Sequence, residues 1–154
     1  MNTETHPDAR FGATTSRTHI PDHFIPRLQS MMELARTHEC ERFIQAWIQS
    51  EGGNAKWNPL NSSLKLSGTV NWTEAIDYNS IPVRNYKYAM AGVCANALTL
   101  GQRNSDGSWV YDTLVKNLRD SSLTAEEIVT MSQADIKKWG TSPTVILDVL
   151  KTTP

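Results

Sequence analysis

One carboxylic acid, Glu51, stands where the apolar stripe of a helix would otherwise continue. The stripe has the i, i+3, i+4, i+7, i+8 spacing of one helix face and consists of Cys40, Phe43, Ile44, Trp47 and Ile48. Gly52 and Gly53 follow and favour a helix end. Partial burial beside Trp47 and the negative end of the helix dipole should both raise the proton affinity of Glu51. A carboxyl group that keeps its proton near neutral pH can serve as the general acid of glycoside cleavage. The alternative is an ordinary helix-end carboxylate that turns into water.

Side chains that could bind a sugar follow Glu51 along the chain. Asn58 and Asn61 could donate hydrogen bonds to sugar hydroxyl or N-acetyl groups. They could equally hold a Pro-containing turn together through side-chain to backbone bonds. Trp57 and Trp72 lie near turns, where a flat ring either stacks against a sugar or fills the core.

The histidines and cysteines form no metal-binding motif. The four histidines lie at or before the start of the first strong helix, without an i, i+4 pair: His6, His19, His23 and His38. Cys40 and Cys94 both fall on apolar stripes and are interpreted as reduced core residues. A disulfide between the two stripes is also geometrically feasible. We therefore expect neither a metal nor a cofactor.

Length and charge narrow the class of protein. The chain has 154 residues, which suits one domain with a substantial core. Its formal net charge of -1 gives no electrostatic reason to expect nucleic acid or an anionic membrane as a partner. No hydrophobic run approaches the length of a membrane span, and the polar start does not read as a signal peptide. We expect any export to depend on another device, such as a holin or a phage particle.

Glu51 is predicted to lie where a helical region of the chain meets a small β-region. Residues 1–20 are polar and aperiodic and predict a flexible or partner-ordered arm, followed by a single domain over 21–154. A first helix over 24–37 is expected to bury Phe24, Leu28, Met31, Met32 and Ala35. Thr37 is placed to cap the helix that ends at Glu51. Asn-Pro, Ser-Gly and Asn-Ser pairs punctuate residues 54–86 and predict a small, irregular β-region.

Helical patterns return after residue 86. A second core helix, ending near Gly101, is predicted from Met90, Val93, Cys94, Ala97 and Leu98. Asp106 or Ser108 is expected to cap the next helix, which holds Tyr111, Leu114, Val115 and Leu118. A capping box at Thr124 leads to Ile128 and Met131. A turn through Ile136 and Trp139 reaches Gly140, and a last helix opens at Ser142-Pro143 with Ile146, Val149 and Leu150 inside. The predicted class is α+β, mainly α.

This order of elements resembles the lysozyme-like superfamily, which includes the lytic transglycosylases and the flagellar-type glucosaminidases. Ser50-Glu51-Gly52-Gly53-Asn54 is similar to the phrase around that family's catalytic acid. A closer resemblance, over residues 43–146, is to small domains of actinobacterial phage proteins. Four short phrases carry it in the same order: Trp47 to Gly53, Asn58-Pro59-Leu60-Asn61, Val83-Arg84-Asn85-Tyr86 and Trp139-Gly140-Thr141.

The resemblance implies a lysozyme-like helical domain with a small irregular β-region and Glu51 as catalytic acid. Tyr86 would contact the sugar at the floor of the cleft, or else be a core tyrosine whose hydroxyl reaches the backbone. Glu74 and Asp77 lie where a second acid would sit, although each could be a solvated loop charge. A transglycosylase mechanism needs one acid alone, because the sugar's own hydroxyl closes on the anomeric carbon. It is therefore slightly favoured over hydrolysis.

Two functions from different classes follow as expectations. The first is cleavage of peptidoglycan glycan strands, of transglycosylase or muramidase/glucosaminidase type, by a phage-encoded, virion-associated protein. The second is a non-catalytic tail or capsid-associated protein on the same scaffold, whose arm (residues 1–20) contacts other virion proteins. A glycan- or peptide-binding inhibitor or adaptor is a third, weaker reading. The expected location is the virion, or the host cytoplasm before lysis.

Overall fold

The fold is given by a computed structural model, which describes residues 19–53, 55–66, 69–76 and 82–154; the side chains of residues 70–76 and 82 lie outside that description. The regular elements of these residues are α1 (Phe24–Met32), α2 (His38–Glu51), β1 (Thr69–Ile76), β2 (Pro82–Tyr86), α3 (Ala89–Leu100), α4 (Asp112–Arg119), α5 (Ala125–Met131), α6 (Gln133–Trp139) and α7 (Pro143–Leu150). The prediction of an α-rich fold is confirmed. Most of the predicted arm, residues 1–18, lies outside the described residues.

Helix α2 forms the centre of the helical body. Its cap is as predicted: the Thr37 hydroxyl accepts a hydrogen bond from the Cys40 amide at 3.1 Å. All five residues of its apolar stripe are at most 1 % exposed. They pack toward α1, α5 and α7. The helix ends at Glu51, and Gly52 takes a left-handed conformation with φ of 62°.

Strands β1 and β2 pair as an antiparallel sheet in the segment where a small β-region was predicted. The register joins Thr69 to Tyr86, Trp72 to Arg84 and Ile76 to Pro82, with an irregularity between each pair and the next. Strand β2 also contacts α3. The loop of residues 55–66, which precedes β1, therefore runs from the end of α2 into this sheet.

Helix α1 is shorter than the predicted range of 24–37. It ends at Met32, because Glu33 adopts a left-handed conformation with φ of 54° and the Leu34 amide turns back to the Gln29 carbonyl at 2.8 Å. The Gln29 side chain is buried and donates to the Ala35 carbonyl at 2.9 Å. The buried stripe of the helix includes Leu28, Gln29 and Met32 but not Met31, which is 42 % exposed, so the prediction of Met31 as a core residue is wrong.

The predicted inner face of α3 is wrong in part: Val93 and Ala97 are buried as predicted, but the other three residues are not. Met90 and Leu98 are 46 % and 55 % exposed, and Cys94 is half-buried. The helix instead turns Gly92 and Asn96 inward: a Cβ on Gly92 would lie 1.8 Å from the Trp57 carbonyl oxygen. Gly92 and Asn96 therefore share the buried face of this helix with apolar residues such as Val93 and Leu100.

The remaining helices follow their local signals with three exceptions, the first of which is that the turn predicted through Ile136 and Trp139 is helix α6. The capping box at Thr124 and the Ser142 cap before Pro143 are both present. The predicted cap of α4 at Asp106 or Ser108 is wrong, because these two residues bond to each other in their own turn. Asp135, from α6, instead accepts the Leu114 amide at 2.9 Å. Met131 is 52 % exposed rather than buried.

Both cysteines are free thiols. Cys40 is buried, and burial raises the pKa of its thiol to about 11. Within the described parts of the chain, no helix combines the length and the apolar character needed to cross a membrane.

Candidate functional site

Glu51 is 3 % exposed, so it does not turn into water. The Asn61 amide nitrogen donates to its Oε1 at 3.0 Å. The Thr141 hydroxyl donates a hydrogen bond to its Oε2. A buried carboxyl group is costly to desolvate unless its oxygens are hydrogen-bonded, and these two contacts reduce that cost. The acid singled out by the sequence is therefore a built feature of the interior.

Thr141 belongs to the loop between α6 and α7, ninety residues along the chain from Glu51. Gly140 ends α6 with φ of 108°, and this left-handed turn lets the Thr141 amide donate to the Ile136 carbonyl at 3.1 Å. The Thr141 hydroxyl also accepts the Trp47 indole N–H at 3.2 Å. Sequence reasoning placed Thr141 in a family phrase but gave it no role. The signal available in the sequence was Gly140 directly before it, since glycine favours the left-handed turn that ends a helix.

Asn61 approaches Glu51 from the loop of residues 55–66. It holds a left-handed backbone conformation with φ of 59°, and its backbone N–H donates to the Asn58 carbonyl at 3.1 Å. Its side chain lies against Gly53, where an added Cβ would be 2.2 Å from the Asn61 Oδ1 atom. The glycine after the helix end therefore provides the space through which Asn61 reaches the acid.

Asn58 is fully buried and holds the loop together. Its amide nitrogen donates to the carbonyls of Ser62 and Arg84, both at 2.8 Å. Its Oδ1 atom accepts the Ser62 amide at 2.8 Å and the Asn96 side chain at 3.1 Å. These bonds match the turn-holding alternative considered for Asn58. They leave it no free donor for a sugar.

Tyr86 is likewise a core residue in this arrangement. It is buried, and its hydroxyl donates a hydrogen bond to the Leu64 carbonyl. Burial raises the pKa of the Tyr86 hydroxyl, and a hydrogen bond with Ser62 partly offsets that effect. Tyr86 thus fixes the loop against β2 rather than facing a ligand.

The other predicted site residues are placed only in part. Trp57 is half-buried with φ of 57°, and its backbone packs on α3 at Gly92. Trp72 and Glu74 lie on β1, but their side chains are outside the described residues, as is the whole of Asp77. The stacking role of Trp72 and the second acid at Glu74 or Asp77 therefore stay predictions.

Aromatic rings form the wall behind the acid. Trp47 is fully buried, and its ring centroid lies 5.7 Å from that of Phe43 and 5.0 Å from that of Trp139. The Trp139 indole donates to the Leu60 carbonyl at 3.1 Å. These contacts therefore hold the end of α6 against both helix α2 and the loop of residues 55–66, next to the carboxyl group of Glu51.

Among the described side chains, no group of three or more His, Cys, Asp or Glu residues is placed to hold a metal ion. The chain matches no protein-family model, no curated protein and no solved structure. The proposals for function therefore depend on the chemistry of the site itself.

Proposed function

We propose that this protein cleaves peptidoglycan glycan strands and that Glu51 is its general acid. The observation that carries the proposal is the placement of a buried, hydrogen-bonded carboxyl group at the end of the central helix, beside the loop that leads into the sheet. Low-dielectric surroundings of this kind are where enzymes keep a catalytic carboxyl group. The scaffold we propose is lysozyme-like.

The proposed mechanism is of the lytic transglycosylase type. Protonated Glu51 gives its proton to the glycosidic oxygen as the bond from that oxygen to the anomeric carbon breaks. The resulting carboxylate then takes a proton from a hydroxyl of the same sugar, whose oxygen closes on the anomeric carbon. One carboxyl group returns to its starting state, so the reaction needs no second acid. A muramidase or glucosaminidase reaction would need one, and Glu74 and Asp77 are the candidates.

The side chains proposed to meet the sugar are Asn61, which already contacts the acid, and the rings of Trp57 and Trp72. Asn58 and Tyr86, proposed from the sequence as sugar ligands, support the loop from beneath instead. We further propose that the protein is phage-encoded and virion-associated, and that residues 1–20 contact other virion proteins.

The test is release of muropeptides from purified cell walls by the wild type, Glu51→Gln and a matched control, Glu41→Gln. Glu41 lies on the same helix and is exposed, so its substitution should leave release unchanged. Glu51→Gln keeps the shape of the side chain and one accepting oxygen, and a rotated Asn61 side chain can accept the new amide N–H with its own oxygen. The substitution should therefore abolish release while the melting temperature stays within a few degrees of the wild type. Wild-type protein that releases nothing from any tested host wall would refute the proposal.

A second candidate function is a non-catalytic virion protein on the same scaffold. The observation favouring it is the 3 % exposure of Glu51: a carboxyl group buried between α2 and two loops suits a structural contact, because a general acid must come within hydrogen-bond distance of its substrate. Deleting residues 2–20 and measuring incorporation into particles tests this function. Unimpaired incorporation would count against a structural role for the arm.

A further inference from the structure

The hydrogen bonds around Thr141 have a fixed direction. An indole N–H can only donate, so Trp47 uses the Thr141 oxygen as its acceptor at 3.2 Å. A threonine hydroxyl carries one hydrogen, which is then available to Glu51 Oε2. Thr141 is 7 % exposed, which leaves little water to compete for these bonds.

Thr141 is held by contacts on two sides. Trp47 lies one turn before Glu51 on α2, is fully buried and packs between the rings of Phe43 and Trp139. On the other side, the Thr141 amide is bonded to the Ile136 carbonyl after the left-handed turn at Gly140. The hydroxyl that meets Glu51 is thus held from both the helix and the loop.

We propose that Thr141, oriented by the Trp47 indole, is a positioning residue for Glu51. The inference rests on the proposed glycan cleavage and names the group that sets the orientation of its acid. A glutamate at a helix end has three side-chain torsions, and a small misplacement of a reacting group can cost about 100-fold in rate. The hydroxyl of Thr141 fixes Oε2, and with it the plane of the carboxyl group.

The test compares Thr141→Val, which keeps the shape and removes the hydroxyl, with Thr141→Ser, which keeps the hydroxyl. Kinetics are measured on soluble, uncross-linked glycan strands. For Thr141→Val we expect kcat to fall about 10- to 100-fold while KM stays within about twofold, since the group acts on orientation rather than on binding. Thr141→Ser should restore kcat to within about threefold of the wild type. A Thr141→Val protein with wild-type kcat would overturn the inference.

A spectroscopic measurement follows the same bond without turnover. The infrared difference between wild type and Glu51→Gln isolates the carboxyl bands of Glu51. These bands should shift in Thr141→Val and stay in place in Thr141→Ser, because only the hydroxyl reaches Oε2. Unmoved bands in Thr141→Val would show that the bond does not orient the acid. If Thr141→Val fails to fold, Thr141→Ala removes the same hydroxyl and leaves room for a water molecule.

Failure of the inference and failure of the proposed function give different results. An active wild type with an unaffected Thr141→Val variant overturns the positioning role alone. A wild type without activity on strands or walls overturns the function, and the positioning role in catalysis with it.

Discussion

At the scale of single residues, the site depends on the lack of a side chain at Gly53. Gly53 has no Cβ, and one placed there would lie 2.2 Å from the Asn61 Oδ1 atom. Gly101 offers a comparison, because its Cβ would be 3.2 Å from the nearest atom, the Ala97 carbonyl oxygen. The Asn61 side chain, which donates to Glu51, therefore occupies the space that a side chain at residue 53 would fill.

We expect Gly53→Ala to displace the Asn61 amide from Glu51 and to lower the free energy of unfolding by about 1–3 kcal/mol, as overpacking of an interior does. Gly101→Ala should cost less, because a neighbour at 3.2 Å needs to move only slightly. Urea unfolding of both variants checks this. Equal losses in the two variants would mean that the Asn61 contact has no special weight.

The sequence predicts some residues of the site and cannot predict others. Glu51 is recognisable because it interrupts a local apolar pattern. Thr141 is not, since its role arises from a contact that spans ninety residues and leaves no periodic trace. Asn58 could be read as a sugar ligand or a turn residue, and only the positions of Ser62 and Arg84 decide between the two.

At the scale of elements, the turn that ends α6 carries Thr141 to the acid. Gly140 adopts φ of 108° there. Gly107 adopts φ of 87° in an exposed turn between α3 and α4. Left-handed backbone costs a residue with a Cβ about 1–2 kcal/mol, so Gly140→Ala and Gly107→Ala should be destabilised by similar amounts. Only Gly140→Ala moves the segment that holds the Thr141 hydroxyl.

We therefore expect Gly140→Ala to reduce muropeptide release by about 10-fold or more, and Gly107→Ala to leave it near the wild-type value. Thermal unfolding serves as the control that both variants are folded at the assay temperature. Equal activity in the two variants would separate the loop between α6 and α7 from the chemistry.

Elements follow their sequence signals where the signal is local. Thr37, Thr124 and Ser142 cap their helices as predicted, because each bonds to an amide only three residues away. The cap of α4 could not be predicted in this way, since its Leu114 amide is satisfied by Asp135 from another helix. The burial of Gly92 and Asn96 on α3 likewise depends on contacts with residues distant in the sequence.

At the scale of the whole molecule, Arg42 ties the central helix to the C-terminal part of the chain. Its guanidinium binds both carboxylate oxygens of Glu126, at 2.9 and 2.8 Å. It also donates to the carbonyls of Leu150 and Thr153, at 3.0 and 2.7 Å. The hydrogen bond from Arg42 lowers the pKa of Glu126 below its ordinary value.

Because the folded pKa of Glu126 is lowered, this pair stabilises the fold above the ordinary pKa of a glutamate, and the effect is lost as pH falls through the folded value. We expect Glu126→Gln to lower the free energy of unfolding by about 0.5–1 kcal/mol at pH 7, as for a partly exposed bidentate pair. The difference from wild type should vanish in strong acid. Urea unfolding across pH measures it, with Asp148→Asn, from an exposed pair, as the control. A pH-independent difference would contradict the ionic origin.

The α-rich character of the whole fold is predictable from composition and helix periodicity alone. The arrangement of the strands is less so, because the pairing of β1 with β2 is irregular between each pair of matched residues. Irregular pairing breaks the strict alternation from which strands and registers are read. The register of β1 with β2 is therefore known from the structure and could not be predicted from the sequence pattern.

The most direct measurement of the central claim is mass spectrometry of soluble glycan strands incubated in ¹⁸O-labelled water. Wild type should give fragments that contain no added water, because a sugar hydroxyl closes on the anomeric carbon. Glu51→Gln should give no fragments, and Glu41→Gln should give the same fragments as the wild type. Intact strands in every sample, or equal fragmentation by Glu51→Gln, would contradict the account; fragments carrying ¹⁸O would replace ring closure with hydrolysis.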